Sequence, residues 1–361
     1  MTRTGMTRTK VAVVGCGHLG TIHARLLAGR DDTELVAVVD PVPEARQRVA
    51  EAHRCLAFAD PLDLVGRADA VVVAAPTGLH AAVAVPLLEA GIDLLVEKPL
   101  AVSVEDARGI ATTARRLGRV VAVGHVERFN PAWRSAAARA GEVRFVEARR
   151  LTPFTFRSLD VGVVHDLMIH DIDLVLSLSP GRLERVDAQG LVATGGHEDA
   201  VRARLEFDSG LVAELSASRI SPRAERTVSM WGVGGLVAVD LTAKTVEVIA
   251  PSEPVRGGSF DAAGVSPEDR AGLKDRFFTE ILPQETLTVP DANAIASEHD
   301  DLLAAIRTGA EPLVSAAAAA AAVEVAARVL EVLDCGRFGG GRPSRRSRPA
   351  TIPLFPHRKT G

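Results

Sequence analysis

Tyrosine is absent from this sequence, and lysine is scarce, with five among the 42 Lys and Arg. Arginine and alanine dominate instead, a compositional habit from which no function follows. The three cysteines, Cys16, Cys55 and Cys335, are scattered and odd in number. That argues against a disulfide framework and predicts a reducing, cytoplasmic setting. They show no C-x-x-C spacing, and His165 and His170, five residues apart, do not share a helix face as an H-E-x-x-H pair does, so no metal site is expected. No G-x-S-x-G or Cys/His signature suggests hydrolysis. No apolar run is long enough to span a bilayer, which takes about 18 residues or more. The nearest, residues 315–333, carries Glu324, Arg328 and Glu331 and reads as a soluble amphipathic helix. A net charge of −4 gives no reason to expect nucleic acid or membrane as a partner.

What is present fits two domains, since 361 residues is about twice a typical domain. Residues 1–9 read as a leader without the apolar core of a signal peptide. Over 10–125, the apolar runs "KVAVVGCG", "ELVAVVD", "ADAVVVAAP", "DLLVEKP" and "RVVAVGH" alternate with helical stretches. That rhythm predicts a parallel sheet covered on both faces. Over 126–338 the runs alternate apolar and polar and are joined by turns such as "DSG", which predicts an antiparallel sheet with one open face and accompanying helices. Such a face can serve a second copy of the chain in a dimer or tetramer. Residues 339–361, with six Lys/Arg and no acid, read as a disordered basic tail.

Gly15, Gly17 and Gly20 form a G-x-G-x-x-G between a strand and a helix. The first permits a tight turn, the second lets a pyrophosphate approach the backbone, and the third lets helix and strand pack closely. His18 and Leu19 lie in the same turn and count among the cofactor contacts. Asp40 ends the second strand twenty residues after Gly20. An acid there accepts hydrogen bonds from ribose hydroxyls and repels a 2′-phosphate, so NAD is expected over NADP.

The glycine loop, "AAPTGLHAAVAVPLLEAGIDLLVEKPL" and "GHVERFNPAW" together resemble the glucose-fructose oxidoreductase / inositol dehydrogenase / MocA family over nearly the whole chain. The resemblance implies an α/β protein: an N-terminal Rossmann doubly wound parallel sheet, then an α/β domain with a large open antiparallel sheet. It implies pyridine-nucleotide oxidation of a sugar or cyclitol carbon. It makes Lys98 of Glu97-Lys98-Pro99 catalytic, with a Lys98–Pro99 bond that is often cis in the family. Asp166 and His170 match its Asp-x-x-x-His signature. It also puts Pro76, Thr77, His80, Glu97 and Lys98 itself near the cofactor. "RLTPFTFRSLDVGVVHDLMIHDIDLVL" and "LSASRIS" further resemble the branch of UDP-N-acetylglucosamine 3-dehydrogenases, although His165 replaces an apolar residue. That branch oxidises the sugar 3-hydroxyl before transamination, on a route to amide-linked lipid A.

The chemistry needs a hydride acceptor and a proton acceptor, and either Lys98 or His170 can take the proton. Asp166 lies four residues before His170 and shares its helix face, so it can orient the imidazole or bind a substrate hydroxyl. Alternatively, Asp166, His170, Asp173 and Ser177 form the polar stripe of a surface helix. His80 either meets the cofactor or packs at a helix start, and His23 packs or caps. His125 and Arg128 either line the site or pack where the two halves meet. Arg157 and Arg219 are candidates for a substrate diphosphate, because a guanidinium can grip phosphate bidentately. The competing readings are a free-sugar or inositol dehydrogenase and, in another class, a dinucleotide-binding regulator without catalysis.

Overall fold

The computed structural model describes residues 8–156 and 158–337, so most of the leader, Arg157 and the whole of the tail lie outside the described residues. The chain forms two compact units. The first runs through Val126 and resumes at Ala294–Ala327; the second comprises Glu127–Asn293 and the segment from Arg328.

In the first unit, β1 (Thr9–Val14), β2 (Thr33–Val39), β3 (Leu56–Phe58), β4 (Ala70–Val73), β5 (Asp93–Glu97) and β6 (Val121–Gly124) make one sheet. Its order is β3-β2-β1-β4-β5-β6, and every pairing is parallel. Every residue of β4 and β5 is buried, as the unbroken apolar runs require. β3 escaped the sequence reading because three residues carry no periodicity. Helices α1 (His18–Ala28), α2 (Pro43–His53), α3 (His80–Glu89) and α4 (Val104–Leu117) connect the strands. α4 shows how local chemistry sets the boundaries. The Ser103 side chain accepts the Asp106 N–H at its start, and Gly118, at φ 62°, ends it. The strand order reverses between β1 and β4, and the carboxyl ends of such a pair open the crevice where ligands meet this kind of sheet.

The second unit contains α5 (Pro131–Ala140), β7 (Val143–Leu151), a π-helical turn (Val164–Met168) and α6 (Ile169–Leu176). Then come β8 (Leu183–Val192), β9 (Ala200–Phe207), β10 (Val212–Ser218), β11 (Glu225–Gly232), β12 (Gly235–Asp240) and β13 (Thr245–Ile249). Short helices α7 (Glu253–Arg256) and α8 (Pro267–Asp275) precede β14 (Gln284–Thr286), and β15 (Asp334–Arg337) completes the sheet. The nine strands lie in the order β14-β13-β12-β11-β7-β10-β9-β8-β15. The expected antiparallel sheet is in fact mixed: β7 with β10, and β8 with β15, run parallel. Both pairs join strands separated by helices, and long connections permit parallel pairing. Helix α5 packs on β12 and β13, and α6 on β7 and β10. The strands keep the predicted alternation: on β7, Val146, Ala148 and Arg150 are buried while Glu147 and Arg149 are not.

Two further helices follow, α9 (Ala294–Thr308) and α10 (Ala316–Val332). Chain order alone groups α9 with the second sheet. Its buried His299, Leu302 and Leu303 instead belong to the first unit, where it packs on α1, β5 and β6. Among the described residues, no helix is long and apolar enough to cross a membrane.

Candidate active site

The glycine loop is built to admit a ligand at one position and to close tightly at the other two. Gly15 has φ 96°, and a Cβ there would lie 2.4 Å from the Ala74 carbonyl oxygen. A Cβ on Gly20 would lie 1.7 Å from the Gly15 carbonyl oxygen. A Cβ on Gly17 would meet nothing within 4 Å, so the backbone there faces open space. Gly17, His18 and Leu19 are exposed, and no side chain caps the start of α1. A helix start of this kind suits a pyrophosphate. Burial, with the Asp40 charge next, pushes the neighbouring Cys16 thiol up to about 12, so it stays protonated.

Asp40 fixes this loop to the end of β2. One carboxylate oxygen accepts the Cys16 N–H at 2.8 Å and the other accepts the Val42 N–H at 2.8 Å. Those bonds hold the carboxylate at the strand end where an adenosine ribose would lie. A charge-assisted hydrogen bond is worth about 1.5–3 kcal/mol. Asp40→Ser is therefore expected to cut the kcat/KM preference for NAD over NADP by about tenfold or more. An unchanged ratio in paired assays would remove Asp40 from that role.

Pro76 is exposed and Thr77 half-buried in the turn that follows β4. His80 is 1% exposed, with Nδ1 3.0 Å from the Pro99 carbonyl oxygen and Nε2 2.9 Å from that of Ala75. Burial pushes its pKa down against the pull of the two carbonyls, and a neutral ring, with a single N–H, donates to one of them at a time. Its ring nitrogens face protein carbonyls, which favours the packed reading of this histidine over direct cofactor contact.

Lys98 is half-buried and follows the last residue of β5. The Lys98–Pro99 peptide bond is cis. Glu97 is buried; its Oε1 lies 2.8 Å from His23 Nε2, and its Oε2 accepts the Lys98 main-chain N–H at 3.2 Å. Burial pushes the Glu97 carboxyl up, but the His23 hydrogen bond and charge, with Lys98, outweigh it and hold the group below the usual carboxylate range. Glu97 thus serves the fold of the strand end rather than facing a ligand. His125, just past β6, is wholly buried.

In the second unit, Asp166 lies in the π-helical turn and His170 in the first turn of α6. Both are half-buried. A single π turn inside a helix often accompanies a functional site. The buried Glu198 supports this start: its carbonyl accepts the Val163 N–H, and its carboxylate fills the place that a Gly162 Cβ would take. The solvated-stripe reading fails at Asp173, which is 2% exposed and lies 3.4 Å from Arg128. Arg128 is therefore an ion-pair partner inside its own unit.

Arg219 has a different task from the expected diphosphate grip. Its Nε donates to Asp199 Oδ1 at 2.7 Å, and its Nη1 donates to the carbonyls of Ser158 and Val161. It is 6% exposed, with its guanidinium over the Phe154 ring. These commitments make it the organiser of the segment leading to the π-helical turn. Arg157 lies outside the described residues. Among the described residues, no cluster of His, Cys, Asp and Glu could hold a metal ion.

Two clusters escaped the sequence reading. One joins Glu97, His23 and His299 in the first unit; the other joins Arg150, Asp171 and Glu127 in the second. A signal existed in each case. Glu97 interrupts an apolar strand, and Arg150 occupies an inward position on β7, so each buried charge required a partner.

Comparisons with known proteins agree with this geometry. Residues 9–125 match the oxidoreductase family with an NAD-binding Rossmann fold, and residues 115–238 match the GFO/IDH/MocA C-terminal domain. A UDP-N-acetylglucosamine 3-dehydrogenase of Acidithiobacillus ferrooxidans is 33% identical over 302 residues, covering 83% of this chain and 90% of that protein. The solved structure of UDP-N-acetylglucosamine 3-dehydrogenase GnnA from Acidithiobacillus ferrooxidans superposes with a TM-score of 0.79 at 30% identity, covering 91% of this chain and 98% of the other. A scyllo-inositol 2-dehydrogenase (NAD(+)) of Bacillus subtilis is 27% identical over 295 residues, covering 76% and 84% of the two chains. The glycine cradle, Asp40 and the half-buried Lys98 at the strand end have the residue types that NAD-dependent alcohol oxidation needs, and the chain belongs to the Gfo/Idh/MocA family of NAD-binding oxidoreductases.

Proposed function

We propose that this dehydrogenase oxidises a ring hydroxyl of a nucleotide-activated sugar to a ketone, with C3 of UDP-N-acetylglucosamine as the reacting carbon. The observation that carries the substrate assignment is the 33% identity over 302 residues to a UDP-N-acetylglucosamine 3-dehydrogenase. Bound NAD supplies the hydride acceptor. Lys98 Nζ exchanges the proton of the substrate hydroxyl, either alone or together with His170. Asp166, four residues before His170, orients the imidazole or accepts from a substrate hydroxyl. The alcohol loses a hydride from carbon and a proton from oxygen, so the product is a 3-keto sugar suited to transamination.

The open face of the nine-stranded sheet belongs to the same proposal as the seat of a second copy. It presents Arg149, Arg202, Arg204, Glu147, Glu214 and Glu247, opposite charges that can be matched between two copies. Light scattering of the purified protein should give a dimer or tetramer mass, and a monomer mass would remove this part.

Purified protein with NAD and UDP-N-acetylglucosamine should generate reduced cofactor, read by its absorbance. The second reading is a free-polyol dehydrogenase, favoured by the 27% identity to a scyllo-inositol 2-dehydrogenase. Turnover of inositol without turnover of the nucleotide sugar would replace the first reading with the second.

A further inference from the structure

A buried array of polar groups lies behind β5 and has no task in the chemistry described so far. His23 on α1 and His299 on α9 are both 0% exposed. His23 Nδ1 lies 2.8 Å from His299 Nε2, and His23 Nε2 lies 2.8 Å from Glu97 Oε1. Three elements far apart in sequence thus meet at the residue immediately before Lys98. We propose that His23 is a positioning residue for Lys98, holding Glu97 so that its second oxygen takes the Lys98 main-chain N–H.

The direction of the bond to Glu97 follows from the partners. A carboxylate only accepts, so His23 Nε2 carries a hydrogen. Between His23 Nδ1 and His299 Nε2 one nitrogen donates and the other accepts. His299 Nδ1 is buried with no hydrogen-bond partner. Burial, then the charges of His23 and Arg30, push His299 down to about 3, so it stays neutral. The bond of fixed direction is the one from His23 Nε2 to Glu97 Oε1, and the contact with His299 holds the far side of the His23 ring.

The surroundings leave Glu97 little freedom. A Cβ on Gly124 would lie 2.8 Å from Glu97 Oε2, so glycine there leaves room for the carboxylate. Glu298, 1% exposed, is pushed well up by burial and by the charges of Glu97 and Asp301. Glu298 is thus biased toward its neutral form beside the ionised Glu97. The charges of His23 and Lys98 act on Glu97, and the Glu97 charge in turn acts on His80 and Glu298. Rotating the carboxylate away from His23 would release the Lys98 N–H and the backbone from which the Lys98 side chain springs.

This inference rests on the reading of Lys98 as the proton-exchanging group, and its test separates the two. Five lysines make selective 13C labelling practical: the spectrum carries five lysine Cε signals, and Lys98→Met assigns one. In His23→Phe the Lys98 signal and its titration should move, and in His23→Gln, which keeps an N–H toward Glu97, they should return toward wild type. With a turned-over substrate, His23→Phe should lower kcat by about ten- to a hundredfold with little change in KM, because small misplacements of a reacting group cost that much. Its kcat–pH profile should gain an acid-side ionisation from Glu97, absent in wild type. If His23→Phe does not fold, the isosteric Glu97→Gln should move the same resonance. A folded His23→Phe or Glu97→Gln with an unchanged Lys98 signal overturns the positioning role, whatever the substrate proves to be. A moved signal with wild-type kcat on a proven substrate leaves the positioning intact and overturns the assignment of Lys98.

Discussion

Lys98→Met is expected to turn over about a hundredfold more slowly than wild type, or worse, while binding NAD with unchanged affinity and melting at the same temperature. Methionine keeps the length of the side chain and removes only the amine proposed to exchange a proton, a contribution typically worth 10²–10⁴-fold. The substitution should leave the fold intact because Lys98 is half-buried and the main-chain N–H that bonds to Glu97 is kept. Titration calorimetry with NAD and steady-state kinetics with the reactive sugar give the two halves of the result. A companion His170→Gln enzyme divides the labour. If Lys98 alone takes the proton, His170→Gln costs far less than Lys98→Met. If the two act as a unit, each single change costs nearly as much as the double, the pattern of groups that work on one proton. A loss below about tenfold for Lys98→Met would remove it from the chemistry.

Much of this was legible in the sequence where the governing physics is local. Buried parallel strands announce themselves as apolar runs, and the glycine loop is a matter of spacing, so β1, β2, β4, β5 and β6 were placed correctly. Lys98 stood out because a scarce residue type ended such a run. What stayed illegible depends on contacts between distant parts of the chain. The pairing of His23 with His299 spans 276 positions, and nothing near His23 points to it. Arg219 could not be separated from 36 other arginines by type alone, and only its bonds to Asp199, Ser158 and Val161 reveal a structural task. The edge strands β14 and β15 are short and partly exposed, and so carry little pattern. Parallel pairing of β7 with β10 is a property of topology that alternation cannot express.

Arg150→Met is expected to destabilise the second unit by about 3–5 kcal/mol, the usual cost of removing one partner from a buried ion cluster. The Arg150 guanidinium is 3% exposed. Its Nη2 donates to Asp171 Oδ1 at 2.8 Å, its Nε reaches both oxygens of Asp171, and its Nη1 donates to Glu127 Oε1 at 2.8 Å. Methionine fills much of the space but leaves both buried carboxylates without this cation. The pH dependence distinguishes that cause from poorer packing. In wild type, burial pushes the Glu127 carboxyl up, but Arg150 outweighs it and holds the group below its ordinary range. Its stabilising contribution is therefore complete above that range and lost only as pH falls through the depressed folded value. Without Arg150 burial prevails, and the folded value rises above the unfolded one. The folded variant then binds protons that the unfolded chain does not, so it gains stability as pH falls from about 7 toward the ordinary carboxylate range near 4.3. The gap between the melting temperatures of wild type and Arg150→Met should accordingly narrow between pH 7 and pH 5, and a constant gap would assign the loss to packing. Activity should suffer as well: Asp171 directly follows His170, so the bond that anchors α6 to β7 also sets the direction in which that imidazole is presented.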